Sequence, residues 1–158
     1  MFAHIIPGES LKARVDDWQS AGTLMLFNQE EFVVDYDVFV GASMNHSAYV
    51  YIPNSCNTAN SECRVHIAIH GCHQGLETVK SYYAEQTGYL EWAASNDIIV
   101  LFPQADSNYV PFNPKGCWDF WGYTGEDYAS NLGVHPSAVR RMVERLMSTP
   151  EEVQEVFL

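Results

Sequence analysis

Short apolar runs, rich in β-branched and aromatic residues, recur along the chain and predict β-strands separated by polar turns. Pro53 and Pro103 end two of these runs, because a proline has no N–H to donate to a strand ladder. The runs before Pro103 and before His70-Gly71 are dominated by apolar side chains, which is typical of buried strands. The predicted strands comprise residues 23–27, 31–40, 49–52, 64–69 and 98–102.

Helical spacing of apolar residues appears in two places. A helix is predicted over residues 78–95, with Thr87-Gly88 as a point where it can break in two. An amphipathic helix is predicted over residues 136–147, because Pro136 suits a first helical turn and arginines occupy the face opposite the apolar stripe. That stripe consists of Val139, Met142, Val143 and Leu146. Residues 106–133 lie between the last strand and this helix, and an irregular connection of that length is usually functional.

The net charge of the chain limits the kinds of binding partner that can be expected. The 158 residues carry 8 Lys and Arg against 20 Asp and Glu, a net charge of -12. Nucleic acids and anionic membrane surfaces are bound through Lys and Arg, so both are excluded as expected partners. No apolar run approaches the roughly 20 residues of a membrane span, and no secretory signal is recognisable at the N-terminus. A neutral or apolar partner is expected.

Four cysteines occupy loop positions, and their even number indicates two disulfides in an oxidising compartment. Cys56 and Cys63 bracket a short polar loop, while Cys72 and Cys117 each follow a glycine. Four free, buried thiols remain the alternative. Disulfides without a signal sequence lead us to expect that the native N-terminus lies upstream.

The run 64–74 contains the candidate chemistry. In serine esterases of the α/β-hydrolase type, a His-Gly motif after a buried strand opens the loop that donates a backbone N–H to the oxyanion. Here that motif is His70-Gly71, which makes the backbone N–H of Cys72 the candidate donor. The chain contains no Gly-x-Ser-x-Gly nucleophile motif, and Ser43, Ser47, Ser81 and Ser130 lack its flanking glycines. A tight turn without catalytic duty is the alternative interpretation.

Three histidines, His66, His70 and His73, lie close together in the sequence, but we predict no metal site and no cofactor. His66 and His70 are four residues apart on one strand face, about 13 Å, which is too far for a shared ion. We expect His66 to be a hydrogen-bonded interior or edge residue and His70 to shape the loop. A catalytic pair of Cys72 with a histidine would instead make the protein a thiol hydrolase.

Aromatic residues crowd the segment after Cys117. They predict either an exposed wall for an apolar polymer or acyl chain, or a small core around a disulfide; we expect Trp118 in the core. Asp119 is interpreted as a turn residue that binds nearby backbone amides, with a triad acid as the alternative. The aromatic residues are Trp118, Phe120, Trp121, Tyr123 and Tyr128.

Several of these motifs occur in an order that resembles extracellular polyhydroxybutyrate (PHB) depolymerases and related esterases. The likeness spans roughly residues 22–146 and is closest to circularly permuted members, in which the half with the oxyanion loop follows the half with the serine. Phe120 stands where that family commonly has Trp. The matching segments are residues 49–53 with Cys56, 63–74, 87–89, 92–93, Asn96, 98–105 and 113–123.

The resemblance implies an α/β fold, namely part of an α/β-hydrolase: a parallel-rich sheet with flanking helices that carries the oxyanion loop. Residues 1–22 would be a connecting segment, and residues 23–158 the C-terminal half of the hydrolase domain. The family implies the pairs Cys56–Cys63 and Cys72–Cys117, with the Cys72 amide in the oxyanion hole. It also implies substrate contacts for Phe120, Trp121 and Tyr123.

The expected function is therefore part of a secreted carboxylic-ester hydrolase, extracellular or periplasmic, that acts on a hydroxyalkanoate polyester or oligomer. No residue matches the Ser, Asp or His of the triad, so we expect the chain to be inactive without a catalytic half that carries them. The competing hypotheses are a non-catalytic polyester-binding module and the Cys72 thiol hydrolase.

Overall fold

One mixed β-sheet organises the protein. The computed structural model describes residues 10–33, 41–58 and 61–148. Four strands pair in the order β1-β2-β4-β3. Predicted strands 23–27, 49–52 and 98–102 are confirmed with small shifts of their ends. The strands are β1 (Gly22–Asn28), β2 (Ser47–Pro53), β3 (Arg64–Ile67) and β4 (Ile98–Phe102).

The sheet is mixed rather than rich in parallel pairs, which corrects that part of the prediction. β2 runs antiparallel to both β1 and β4. Among the strands of the described residues, β3 and β4 are the one parallel pair, with His66 opposite Val100. A parallel pair needs a crossover connection, and the described β3–β4 segment supplies one with its helices.

The predicted helix over residues 78–95 is three short helices: α2 (Leu76–Val79), α3 (Tyr82–Gln86) and α4 (Tyr89–Ser95), after α1 (Trp18–Ala21). The break at Thr87-Gly88 is confirmed, because Gly88 has a φ of 79°. The sequence missed the earlier break, where Lys80 has a φ of 55°. A left-handed residue cannot continue a right-handed helix, so the chain turns there.

Each face of the sheet supports its own core. β4 is buried at all five positions. On one face the sheet packs against α5 (Val134–Leu146), and on the other against α4. The buried positions of α5 are His135, Ala138, Met142 and Leu146, so the apolar stripe is rotated slightly from the predicted one.

Two strand predictions need correction. Residues Glu30–Phe32 form a 3₁₀ turn where the strand 31–40 was predicted to begin, and residues 34–40 lie outside the described part. The predicted strand 64–69 ends at Ile67 and is only partly buried, with Ile67 39% exposed. β3 is an edge strand of the described sheet, so no strand covers its outer side.

The segment before β1 packs on the sheet and on α4. The backbone N–H of Val15 donates to Glu91, and the Tyr51 hydroxyl donates to the carbonyl of Trp18. The rings of Trp18 and Tyr51 meet edge to face at 5.8 Å.

Candidate active site

The loop after β3 is held in place by a buried histidine. His70 Nδ1 donates to the carbonyl of Gly71 at 2.8 Å, and its Nε2 accepts from the backbone N–H of Ala105 at 3.0 Å. Burial lowers the pKa of His70 and outweighs the hydrogen bond to Gly71, which raises it. The prediction that His70 shapes this loop is confirmed. The side chain joins the loop to the segment that follows β4.

In the loop after β3, every backbone N–H of residues 71–74 except one donates to an acceptor in the protein. Gly71 N–H donates to Oε1 of Gln74, Gln74 N–H to the Gly71 carbonyl, and His73 N–H to the Lys115 carbonyl. Within the described part of the chain, the N–H of Cys72 donates to no protein acceptor, and Cys72 is exposed. The candidate oxyanion donor is therefore an amide of an exposed residue, in a loop whose neighbouring amides are occupied.

Two disulfides pair the four cysteines as the family resemblance implied, Cys56 with Cys63 and Cys72 with Cys117. In the second, the Cα atoms lie 4.3 Å apart and join the Cys72 loop to residues 113–123. Asn113 braces this junction, because its Oδ1 accepts from the N–H of Cys117 at 2.9 Å. With its sulfur in a disulfide, Cys72 has no thiolate, so the thiol hydrolase hypothesis is wrong for this structure.

Asp119 organises the aromatic segment as a turn residue. Its Oδ1 accepts from the backbone N–H groups of Trp121, Gly122 and Tyr123, and its Oδ2 accepts from the N–H and hydroxyl of Thr124. Partial burial opposes ionisation of Asp119. The hydrogen bonds from this turn outweigh it and hold the pKa of the carboxyl below its usual value. The interpretation of Asp119 as a turn residue is confirmed.

The aromatic residues divide between a wall and a core. Phe120 is 69% exposed and Trp121 is 45% exposed, and their rings meet edge to face at 4.6 Å. The ring of Tyr123 contacts that of Trp121, with centroids 4.8 Å apart, and the Tyr123 hydroxyl donates to the carbonyl of Cys117. Trp118 packs against the core beneath the sheet, as predicted. The cluster therefore has an exposed part, Phe120 and Trp121, and a part that packs against the core, Trp118.

A pair of carboxyl groups beside the Cys72 loop was missed by the sequence analysis. Glu77 and Asp106 share a hydrogen bond and line a cavity of about 170 Å³. Asp106 also accepts from Nδ2 of Asn45 at 2.7 Å, and Glu77 accepts from the hydroxyl of Ser107 at 2.6 Å. Burial and the bond to Glu77 raise the pKa of Asp106 to about 6. Its position just beyond a buried strand was the only sequence signal.

Gln104 is another residue that the sequence did not single out. It is buried, and its Oε1 accepts from the N–H of Leu76 at 2.7 Å. The bond fixes the start of α2 immediately after the Cys72 loop. His66 lies half-buried on β3 against the ring of Tyr89, 5.1 Å between centroids, as expected of an edge residue.

Neither a metal centre nor a membrane span emerges from the described residues. Across residues 10–33, 41–58 and 61–148, no three His, Cys, Asp or Glu side chains are grouped to hold a metal ion. No helix in those ranges has the length and apolar character to cross a bilayer.

Among curated proteins, the chain is similar to enzymes that degrade poly(3-hydroxybutyrate). It is 31% identical over 140 residues to the poly(3-hydroxybutyrate) depolymerase of Delftia acidovorans, covering 88% of this chain and 26% of that protein. It is 35% identical over 114 residues to the polyhydroxybutyrate depolymerase of Talaromyces funiculosus, covering 66% of this chain and 34% of that protein. No family model matches the sequence.

Solved structures of PHB depolymerases share the fold of this chain. The crystal structure of PHB depolymerase from Penicillium funiculosum matches with a TM-score of 0.75 and 29% identity, covering 90% of this chain and 45% of the other. A PHB depolymerase variant complexed with an R3HB trimer matches with a TM-score of 0.76, also over 45% of its length. The chain thus spans a quarter to under half of the relatives that it matches. The protein has the fold of part of an α/β-hydrolase and is similar, over that part, to PHB depolymerases.

Proposed function

We propose that this chain is the oxyanion-loop portion of an extracellular or periplasmic carboxylic-ester hydrolase of the PHB depolymerase type. In this proposal residues 23–158 are the C-terminal half of a circularly permuted hydrolase domain, and residues 1–22 connect it to the catalytic half. Its relatives are named for poly(3-hydroxybutyrate) degradation, and one of them is complexed with an R3HB trimer. The proposed substrate is a polyester or oligomer of hydroxyalkanoate units.

The observation that carries the proposal is the amide of Cys72. A donor that stabilises a tetrahedral oxyanion must be fixed before the reaction and must have no competing protein acceptor. The Cys72 N–H meets both conditions, because its neighbours Gly71, His73 and Gln74 hold the loop through their own amides. One such donor lowers the barrier by roughly 3–4 kcal/mol.

Phe120 and Trp121 supply the proposed substrate wall. Both residues are exposed and lie on the segment that the disulfide joins covalently to the Cys72 loop, which supports contacts with an ester held at the amide. A polyester is neutral and apolar, which is compatible with aromatic surface on a chain of net charge -12. Tyr123 contributes by supporting Trp121.

The chemistry of the nucleophile must come from residues outside this sequence. The 158 residues contain no Gly-x-Ser-x-Gly motif. The carboxylate of Asp119 already accepts hydrogen bonds from the backbone of its own turn. In the proposal the serine-bearing half packs along β3, where Ile67 and Ile69 are 39% and 46% exposed. Strand addition there would cover the unpaired edge of the described sheet.

The test compares the chain alone with the chain completed by the part of a homologous depolymerase that it does not match, supplied in cis or in trans. Hydrolysis of p-nitrophenyl butyrate and of PHB film is measured for both. We expect no measurable turnover by the chain alone and turnover by the completed protein. Turnover by the chain alone that is blocked by a serine-directed fluorophosphonate would contradict the proposal.

A matched pair of variants tests the aromatic wall in the completed protein. Trp121→Ala should reduce hydrolysis of PHB film more than hydrolysis of the short ester, because only the polymer reaches the wall. Tyr109→Ala is the control, since Tyr109 is an exposed aromatic residue outside the 118–123 cluster. Equal losses on both substrates, or equal effects of the two variants, would contradict a role for Trp121 in polymer contact.

A non-catalytic polyester-binding module is the second candidate, favoured by the exposure of Phe120 and Trp121. The same experiment separates the two functions. A binding module would adsorb to PHB film through Trp121 and would remain without turnover after completion with the serine-bearing part.

A further inference from the structure

Two buried histidines flank one indole beneath the candidate site. The ring of His70 lies 5.7 Å from Trp118, and the ring of His135 lies 5.0 Å from Trp118. His70 and His135 are 3% and 6% exposed. His70 belongs to the Cys72 loop, whereas His135 lies on α5, so the cluster brings distant parts of the chain together.

Each imidazole makes one bond as a donor and one as an acceptor, both to the backbone. His70 donates from Nδ1 to the Gly71 carbonyl and accepts at Nε2 from the N–H of Ala105. His135 has the opposite arrangement: Nε2 donates to the Ala42 carbonyl at 2.7 Å, and Nδ1 accepts from the N–H of Asp119 at 3.3 Å. A carbonyl can only accept and an amide can only donate, so the partners fix the tautomer of each ring.

We propose that His70 and His135 are positioning residues of the site, which hold the Cys72 loop and the aromatic segment only as neutral imidazoles of opposite, fixed tautomers. A proton added to either ring would point an N–H at a backbone N–H, of Ala105 or of Asp119, and break that bond. Acid would therefore release the Cys72 loop from the segment after β4, and the aromatic segment from α5. The part of this inference that concerns catalysis rests on the proposed function.

The surroundings of both rings favour the neutral state. His70 faces the rings of Tyr83 and Trp118, and burial lowers its pKa. His135 faces Trp118, Tyr123 and the carboxylate of Asp119. Burial lowers the pKa of His135 and outweighs the Ala42 carbonyl and the Asp119 charge, which raise it.

The sign of the pH effect follows from linkage. A histidine with a lowered pKa in the closed state gains its proton at a higher pH when the loop opens. The closed state of the loop is therefore fully stabilised above the unperturbed histidine pKa of about 6.5. Its stabilisation weakens as the pH falls toward the lowered pKa. For each histidine, the opening equilibrium should rise as the pH falls through that window, by at most about tenfold per pH unit.

Nitrogen-15 NMR of the histidine rings in the purified chain tests the tautomers directly. At pH 7.5 we expect His70 neutral with its proton on Nδ1, and His135 neutral with its proton on Nε2. Either ring in the other tautomer, or charged at that pH, would overturn the proposal. This measurement needs no variant and no ester turnover, so its failure is distinct from a failure of the hydrolase proposal.

Amide hydrogen exchange tests the consequence. Exchange at Ala105 and Asp119, corrected for the intrinsic pH dependence, should accelerate as the pH falls below about 6.5, by at most about tenfold per pH unit. His70→Gln and His135→Gln keep a donor and an acceptor without a titrating group, so each should abolish the acceleration at its own amide. His46→Gln is the control, because His46 is exposed and pairs with Glu30 away from the cluster.

Acceleration that persists in His70→Gln and His135→Gln as in His46→Gln would overturn the proposal. If the glutamine variants do not fold, the tautomers of the unmodified chain decide the question. In the completed enzyme, the fall of kcat/KM in acid should be smaller in the glutamine variants than in His46→Gln, because only protonation of the triad histidine of the other half then remains.

Discussion

Removing the carboxylate of Asp119 should unfold the aromatic segment and destabilise the protein. Asp119 is the acceptor for the backbone N–H groups of Trp121, Gly122, Tyr123 and Thr124 and for one hydroxyl. In Asp119→Ala these five donors lose their common acceptor. Among the described residues, no other acceptor replaces the carboxylate in the turn that contains Trp121. Asp119→Asn keeps one oxygen but directs an NH₂ group toward a donor.

The magnitude follows from the hydrogen bonds rather than from the charge. A bond to a charged group contributes roughly 1.5–3 kcal/mol when it is well sheltered, but this carboxylate is partly exposed and water can replace part of the loss. We expect Asp119→Ala to cost about 2–4 kcal/mol and Asp119→Asn about half of that. For a protein of this size, about 3 kcal/mol corresponds to a fall in Tm of roughly 6–12 °C.

Urea unfolding at pH 7 and at pH 3, followed by far-UV circular dichroism, measures the effect. Because the pKa of Asp119 is lowered in the folded state, its contribution is present above the unperturbed value of about 4 and disappears as the pH falls through the folded value. The variant and the unmodified protein should therefore converge in acid. Glu126→Gln is the control, an exposed carboxylate of the same segment.

A loss below about 0.5 kcal/mol for Asp119→Ala at pH 7 would refute the turn argument. The alternative role also has a distinct signature. If Asp119 were the acid of a catalytic triad, Asp119→Asn would abolish ester turnover in the completed enzyme while leaving the unfolding curve unchanged.

Three further outcomes are expected. Replacing Cys72 and Cys117 together by alanine should lower the free energy of unfolding by about 4 kcal/mol on the chain-entropy estimate, measured by urea titration, because this disulfide closes a separation of 45 residues. Asp106→Asn should gain stability relative to the unmodified protein as the pH rises from 4 to 7, since the pKa of Asp106 beside Glu77 is raised to about 6 and ionisation is costly; parallel pH curves would contradict this. Gly75→Ala should cost about 2 kcal/mol in the same titration, because its Cβ would lie 2.7 Å from a carbonyl oxygen of the segment after β4.

The sequence predicts those features that depend on local pattern. The apolar run of β4 and the periodic apolar stripe of α5 each indicate which residues are buried. Both elements form where expected. The same rule failed for residues 64–69, because an apolar run does not tell whether a neighbouring strand is present to bury it. The break at Lys80 also has no local signal, since lysine is an ordinary helix former.

The site network was less predictable because its partners are distant in sequence. His135 binds the carbonyl of Ala42, 93 positions away, and Glu77 meets Asp106 across 29 positions; neither separation leaves a periodic trace. His70 was identified as a loop-shaping residue from its motif, but its acceptor bond from Ala105 depends on the neighbouring parallel strand. The disulfide pairing came from the family resemblance, since four cysteines alone permit three connectivities.

In the proposed function, residues 70–74 fix the backbone of the loop and leave the Cys72 amide without a protein acceptor. A Cβ at Gly71 would lie 2.9 Å from Oε1 of Gln74, the atom that accepts the Gly71 N–H, so a larger residue there would displace this acceptor. His73 has a φ of 59°, and its N–H donates to the Lys115 carbonyl at 2.8 Å. The conformation is thus maintained by the neighbours and by the disulfide, and in the proposed function the Cys72 amide is available to a substrate oxygen. A preorganised donor of this kind needs no rearrangement when charge develops, so in the proposed reaction this chain contributes geometry and the other half contributes the nucleophile.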